Sequence, residues 1–336
     1  MKILVRPWNF NSGGFIKSLL YYEEVSSMKS TDGVLDNQLK VKSSKMSKAK
    51  IKYELIGWGF VGAAVILISL FSFYPMVQAF VLSLQSGMGV NLEFVGFGNY
   101  LRLFQDQEFI VAVRNTFTYL LVQVPLMILL ALVFSVILNN KKLKFKGFFR
   151  TAIFLPAITS LVAYATVFRV LFGFNGVINT FLMNSGLINA PLEWLTDPTL
   201  ARITIIVAIT WRWTGYNMIF YLSGLQNIDR SIYEAAEIDG AGPVKQFFKI
   251  TIPMLRPIIL FTSITSTIGT LQLFDEVVNI TNGGPAGATT TISHYIYNLS
   301  FVRAPNFGYA ATVSYAIVMM IIVLAVIQFK VVGDKS

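Results

Sequence analysis

Polar side chains are scarce in this chain, so those that interrupt its apolar runs stand out. Arg212 lies in Trp211-Arg212-Trp213-Thr214-Gly215-Tyr216-Asn217. Further along, Thr262, Thr265, Gly269, Gln272, Glu276 and Asn279 recur at i, i+3 and i+4 spacing, with Asp275 beside them. Aromatic faces together with amides and carboxylates suit a hydroxyl-rich ligand such as a sugar, because the rings cover its apolar faces and the polar groups exchange hydrogen bonds with its hydroxyls. Arg212, Trp213, Tyr216, Asn217, Gln272, Asp275 and Glu276 are therefore the candidate substrate-path residues. Arg212 is expected to pair with Asp275 or Glu276, or to meet substrate in a shared cavity. The alternative for each residue is plain packing, since small and polar stripes also favour helix association.

Other chemistries are poorly served. Asp275 and Glu276 are adjacent, so on a helix they point apart and converge badly on one bond. The chain has no cysteine and one histidine, His294, which rules out disulfides, thiolate metal sites and a His-based metal cluster. No G-x-x-x-x-G-K-[ST] phosphate-cradling loop occurs. The expectation is a non-enzyme with no cofactor and no metal. A secondary transporter would need an ion or proton relay inside its spans, and Asp275/Glu276 is the one candidate pair.

The elements that must position these residues are membrane helices. Of 336 residues 54% are hydrophobic and only 13% charged, about half the charge of a soluble domain. A bilayer core of ~30 Å takes about 20 apolar residues, and six segments qualify: Ile56 to Leu84, Val111 to Leu138, Thr151 to Phe172, Ile203 to Leu225, Pro257 to Ile280 and Tyr309 to Phe329. The third and fifth are rich in Thr, Ser or Gly. The fold class expected is an all-α polytopic membrane protein.

The net charge of +10 is uneven. Lysines crowd the run-up to the first segment, and Asn139 to Arg150, NNKKLKFKGFFR, holds five cations and no acid. The loops between are acidic or nearly uncharged. Cations mark the cytoplasmic side, so both termini, the 139–150 loop and the loop before Pro257 are expected in the cytoplasm, and nucleic acid is not the expected partner. Residues 1–53 read as a basic, disordered extension, with 54–332 the membrane domain and 333–336 a tail. The first 45 residues fit no span, and a start at Met28 or Met46 would leave a short basic lead.

Between the fourth and fifth segments the chain turns polar: YEAAEIDGAGPVKQFFKITIPMLRP, Tyr233 to Pro257. Ser231 and Glu234 form an S-x-x-E capping pattern, Gly240 is placed to end a helix in a left-handed conformation, and Pro243 suits the first turn of a second. This is two short helices around a turn, with small residues outside and aromatics inside, a shape for another protein's groove.

The spacing Glu234-Ala235-Ala236, Gly240, Ile250-Thr251-Ile252-Pro253 resembles the EAA loop of ATP-binding-cassette importer permeases. Gly224-Leu225-Gln226, Asp239-Gly240-Ala241, Phe154-Leu155-Pro156, Thr281-Asn282-Gly283-Gly284-Pro285 and Gly308-Tyr309-Ala310-Ala311 are similar to the carbohydrate-uptake branch. Ile252 and Asp229 depart from that pattern. The resemblance covers about residue 54 to the end. It implies six transmembrane helices of the MetI-like type in a bacterial plasma membrane. It also implies a second homologous permease as heterodimer partner, two copies of a cytoplasmic ATPase and an extracytoplasmic sugar-binding protein. The coupling loop would be 229–253, with Tyr233, Glu234, Ala235, Ala236, Asp239, Gly240, Ala241, Phe247, Ile250 and Pro253 its contact residues.

Overall fold

The computed structural model describes residues 48–88, 91–140 and 142–333; the extension before residue 48 and the end of the tail lie outside them. The chain divides into two compact units, Met1–Phe71 and Ser72–Ser336. In the first, α1 (Lys48–Ile68) enters a π-helical turn, Ser69–Phe73. The second opens with α2 (Tyr74–Ser83) and a small hairpin, β1 (Gln85–Met88) with antiparallel β2 (Asn91–Phe94), Gln85 facing Phe94. That hairpin is the one departure, among described residues, from an all-helical chain.

The helices that follow are α3 (Gly98–Leu103), α4 (Gln107–Asn139), α5 (Lys146–Ile158), α6 (Leu161–Leu171), α7 (Val177–Asn184) and α8 (Pro198–Gln226). Next come α9 (Arg230–Ile238), α10 (Pro243–Gln246), the π turn Phe247–Thr251, the single turn α11 (Ile252–Met254), α12 (Arg256–Leu271), α13 (Asp275–Ile280), α14 (Ile292–Tyr297) and α15 (Phe307–Gln328). The long helices start where a side chain can catch their free N–H groups. Asp106 accepts from the Glu108 and Phe109 amides (3.0 and 3.2 Å), and Asp197 from Thr199 and Leu200 (2.9 and 2.8 Å), with Pro198 at the first helical position. Such caps contribute ~1 kcal/mol each.

Among the described residues, three helical runs are long and apolar enough to cross a bilayer: Ile56–Ser83, Gln107–Asn139 and Phe307–Val331. Two more pass only as bent pairs, α5 with α6 (101°) and Pro243–Met254 with α12 (72°). The third expected span is thus not a straight helix; the second bend lies just before the fifth, which is interrupted instead after Leu271. The first bend follows Pro156 at Thr159, whose extended backbone (ψ 143°) ends α5. The second falls at Leu255 (φ −87°, ψ 0°), between the single turn α11 and α12. The fourth, α8, is 29 residues long, ~43 Å at helical rise, but its Trp-Arg-Trp-Thr run makes it less apolar.

α4 and α8 form the most extensive helix pair. The buried face of α4 runs Ala112, Thr116, Tyr119, Gln123, Met127, Ala131 and Leu138, a period near four that mixes apolar and polar groups. Lipid tails are as apolar as leucine, so close approach and interhelical hydrogen bonds must hold these helices together. Gly215 of α8 supplies the closest approach: a Cβ there would run into the Ile153 carbonyl oxygen of α5. Tyr221 and Thr262 hydroxyls meet at 2.6 Å between α8 and α12, and Tyr315 donates to the Met76 carbonyl at 2.6 Å between α15 and α2.

Candidate functional site

Two places concentrate polar groups that the apolar framework does not need. The first is a cavity of about 200 Å³ between α4, α8 and α12. Gln123 and Met127 come from α4, Ile209, Trp213, Tyr216 and Asn217 from α8, and Thr265, Ser266, Gly269 and Thr270 from α12, with Leu273 just beyond. The amides are held in place. Thr270 donates to the side-chain amide oxygen of Gln123 at 3.2 Å, and the Asn217 side chain donates to the Trp213 backbone carbonyl at 3.0 Å. Gln123 and Asn217 both direct an N–H at the Met127 sulfur, each at 3.3 Å. Trp213 and Tyr216 present their rings edge to face, 5.7 Å between centroids. One wall is aromatic and the others carry amides and hydroxyls, which is the chemistry that grips a sugar by stacking and by hydrogen bonds.

Three of the seven expected path residues, Trp213, Tyr216 and Asn217, line this cavity. The other four do not. α12 stops at Leu271, so the helical spacing that joined Thr265 and Gly269 to Gln272 and Glu276 is interrupted. The Leu273 carbonyl freed there is taken by the Thr291 hydroxyl at 2.6 Å. Gln272 and Asp275 face outward, exposed, whereas Glu276 is buried. Arg212 is buried too, but it forms no ion pair with either acid. Its guanidinium lies over the Tyr164 ring at 5.2 Å and the Trp213 ring at 5.7 Å, and its Nε and Nη1 have no hydrogen-bond partner. Arg212 thus backs the cavity wall rather than lining it. Gln123, Met127, Ser266 and Thr270 were missed. An amide inside the apolar run of α4 was the available signal for Gln123.

The second place is the segment 229–253. Its helix starts two residues earlier than the Ser231/Glu234 pattern implies: Asp229 is the cap, accepting the Ser231 amide at 3.0 Å, because its extended backbone (ψ 130°) aims the carboxylate at that N–H. Glu234 instead makes an exposed ion pair with Arg230 at 3.6 Å, of the kind that contributes little. Gly240 is left-handed at φ 73°, as expected. Around it, Ala241 donates to the Ala236 carbonyl (2.8 Å) and Gly240 to that of Glu237 (3.0 Å), the paired bonds that seal a helix end. Gln246 reaches back to the Ala241 carbonyl at 2.9 Å, and the Tyr233 hydroxyl meets that of Thr251 at 3.0 Å, tying α9 to the π turn.

Glu234, Ala235, Asp239, Gly240 and Pro253 are exposed, while Tyr233, Ala236, Ala241, Phe247 and Ile250 are half-buried. Phe247 packs on the inner core cluster; Phe248, expected inside with it, points out. Ile238 (87% exposed), Val244 (71%) and Phe248 (57%) form apolar surface on this segment that composition alone did not single out.

At the end of the molecule remote from this segment, Asp106 gathers more than its own helix. Its second oxygen accepts the Tyr295 and Tyr309 hydroxyls, both at 2.6 Å. Burial raises the Asp106 carboxyl, but these two bonds and the two backbone amides outweigh it and hold the group below its ordinary range. Arg303 pairs with Glu108 at 2.8 Å beside it. The loop 281–288, TNGGPAGA, is stitched down: Asn115 donates to the Gly287 and Thr290 carbonyls (3.0 Å each) and Arg202 to that of Ala288 (2.9 Å). His294 is packed against Phe274 and Gly283.

Residues 109–331 match the family described as binding-protein-dependent transport system inner membrane component. The chain belongs to that family. Among similar inner membrane components is the lactose transport system permease protein LacF of Rhizobium radiobacter, 56% identical over 296 residues that span 88% of this chain and 99% of the relative. The trehalose/maltose transport system permease protein MalF of Thermococcus litoralis is 31% identical over 288 residues, 85% of this chain and 96% of that one. In three dimensions the component matches a subunit of a bacterial ABC transporter involved in import of the acidic polysaccharide alginate. The TM-score is 0.73 at 25% identity, over 86% of this chain and 98% of that one. A second match is to the alginate transporter in complex with an alginate pentasaccharide-bound periplasmic protein (TM-score 0.71, 26% identity, 83% and 94% coverage).

Proposed function

We propose that this chain, as the permease component of a binding-protein-dependent sugar importer, forms half of the translocation path and takes its driving force through residues 229–253. The observation that carries the reading is the pairing of a rigid, exposed apolar turn with a sugar-compatible cavity at the other side of the same helix pair. Ile238, Val244 and Phe248 stand out from a segment whose backbone is fixed by the Gly240 turn. Exposed apolar surface with that much local order fits a protein cleft. The partner at this surface is a cytoplasmic ATPase, Ala235 and Ala236 permitting close approach, and the energy for transport comes from ATP hydrolysis there.

The cavity between α4, α8 and α12 takes one face of the sugar, and a second, homologous permease supplies the other. An extracytoplasmic binding protein delivers the sugar at the end where Asp106 and the 281–288 loop are knitted together. In this reading the chain has six spans, with both termini, the 139–150 loop and the 229–253 segment in the cytoplasm and residues 54–332 as the membrane domain. The two relatives described above are named for lactose and for trehalose/maltose transport, so a neutral di- or oligosaccharide is the substrate class.

The test is uptake by the assembled importer over a panel of neutral and acidic oligosaccharides, with Trp213→Ala and Gln123→Ala beside the parent. Loss of stacking costs roughly 1 kcal/mol or more, which is a KM raised about fivefold for Trp213→Ala with the complex still assembled. Unchanged KM for both variants would remove the cavity from the path.

A further inference from the structure

We propose that residues 142–150 are a binding surface for anionic phospholipid headgroups of the leaflet they face, and that lipid held there sets the position of α5. The proposal rests on the topology and not on the sugar or the ATPase. α4 ends at Asn139 and α5 opens the next bent span at Lys146, so this stretch lies at a membrane face.

What it shows there is unusual for a connecting loop. Lys142 and Lys144 are exposed, and Lys146 and Arg150 half-exposed. The ion pairs among the described residues are Arg230–Glu234 and Arg303–Glu108, so none of these cations has a carboxylate. Between them, Phe145 is 79% exposed and Phe148 70%, with Phe149 against Phe148 at 5.7 Å. Cations alternating with exposed aromatic rings fit the headgroup zone, where rings sit at the acyl boundary and ammonium groups meet phosphate. A surface facing only water has no use for the rings, and an acidic protein patch has none for so many of them.

The display is also fixed. The Asn140 side chain accepts the Lys142 amide at 2.9 Å, its carbonyl accepts the Leu143 amide at 3.2 Å, and Leu143 is packed into the core cluster of α4, α8 and Leu255. Phe145 is left-handed at φ 58°, a conformation a bulky residue adopts at a cost. It swings the ring clear of the core just before α5 begins. α5 then runs to the close crossing at Gly215, between the cavity residues Trp213 and Tyr216. Lipid bound at 142–150 therefore holds the helix that braces the cavity wall.

The Lys142→Gln/Lys144→Gln/Lys146→Gln variant tests this in the full importer, reconstituted in bilayers of phosphatidylcholine with rising phosphatidylglycerol. A cysteine at Gly147, where an added Cβ meets nothing, carries an environment-sensitive dye. The parent should give a blue shift and faster uptake as phosphatidylglycerol rises. The variant should need more of the anionic lipid, roughly fivefold per lysine removed, and the same positions as Arg should restore the parent curve. Phe145→Ser/Phe148→Ser keeps every cation, and with it the topology signal, and should lose the blue shift. Equal responses to the two lipids, or equal curves for parent and Gln variant, would overturn the proposal. So would loss of ATPase co-purification in the Gln variant without any lipid dependence, which assigns the surface to a protein partner.

Discussion

Replacing Gly240 by valine perturbs one backbone angle and nothing else. The residue sits at φ 73°, and a Cβ added there meets no atom within 4 Å, so no clash contributes. A left-handed conformation costs an L-residue ~1–2 kcal/mol, with β-branched side chains at the worse end. α9 buries none of its residues, so little beyond its cap, the two bonds after Ala235 and the Tyr233–Thr251 contact resists relaxation. A strain of ~1–2 kcal/mol lowers the population of the observed turn roughly 5- to 30-fold. Gly240→Asn, which tolerates this region, should sit close to the parent, and Gly240→Ala between the two. The assay is co-purification of the ATPase with the permease pair, together with hydrolysis stimulated by the loaded binding protein and sugar uptake. Membrane abundance should be equal in all three variants, because no span is touched. If valine matches asparagine in all three measurements, the shape of this turn does not transmit force and the reasoning is wrong.

Other outcomes follow from separate observations. Single cysteines at Asn140 and Asn189, both exposed, should be distinguished by an impermeant thiol reagent applied outside intact cells: Asn189 labelled, Asn140 spared, with the opposite pattern reversing the topology. Arg212→Leu and Arg212→Lys should both loosen Trp213 and raise the KM for uptake roughly 2- to 30-fold, the range of a cation–π contact, since an ammonium does not replace the planar group; full activity in the Leu variant would reduce Arg212 to filler. Asp106 is depressed in the fold, so its contribution is present above its unfolded value and is lost as pH falls through the lower folded one. Asp106→Asn should accordingly lower the melting temperature at neutral pH and flatten its fall on acidification; an unchanged acid limb would show that the two tyrosines do not depend on the charge.

Some of this was legible from the residue order. Gly240 announced its own conformation because only glycine adopts it cheaply. Trp213, Tyr216 and Asn217 were visible because polar and aromatic residues are costly in an apolar helix unless used. What failed was extrapolation of a period. Thr262 to Asn279 keeps helical spacing on paper, but the helix ends at Leu271, and the group that compensates the break, Thr291, lies in a distant loop that spacing cannot reveal. The same blindness hid Gln123, whose partner Thr270 is on another helix. The cap of the 229–253 segment was assigned to Ser231 rather than to Asp229 because both residues are good caps, and only the backbone angle chooses between them.

The crossing at Gly215 limits how this protein can evolve. Thr265 and Ser266 sit on α12 and make no side-chain hydrogen bond to another helix, so exchanging them alters the cavity lining while leaving the helix packing alone, a freedom that Thr270, bonded to Gln123, does not share. Gly215 lies between Trp213 and Tyr216 on the opposite wall, and any side chain there displaces the α5 backbone at Ile153. Changes in sugar preference therefore have an open route through one wall and a closed one through the other. Libraries that vary α12 and fix 213–217 should yield assembled transporters of altered specificity far more often than libraries built the other way round.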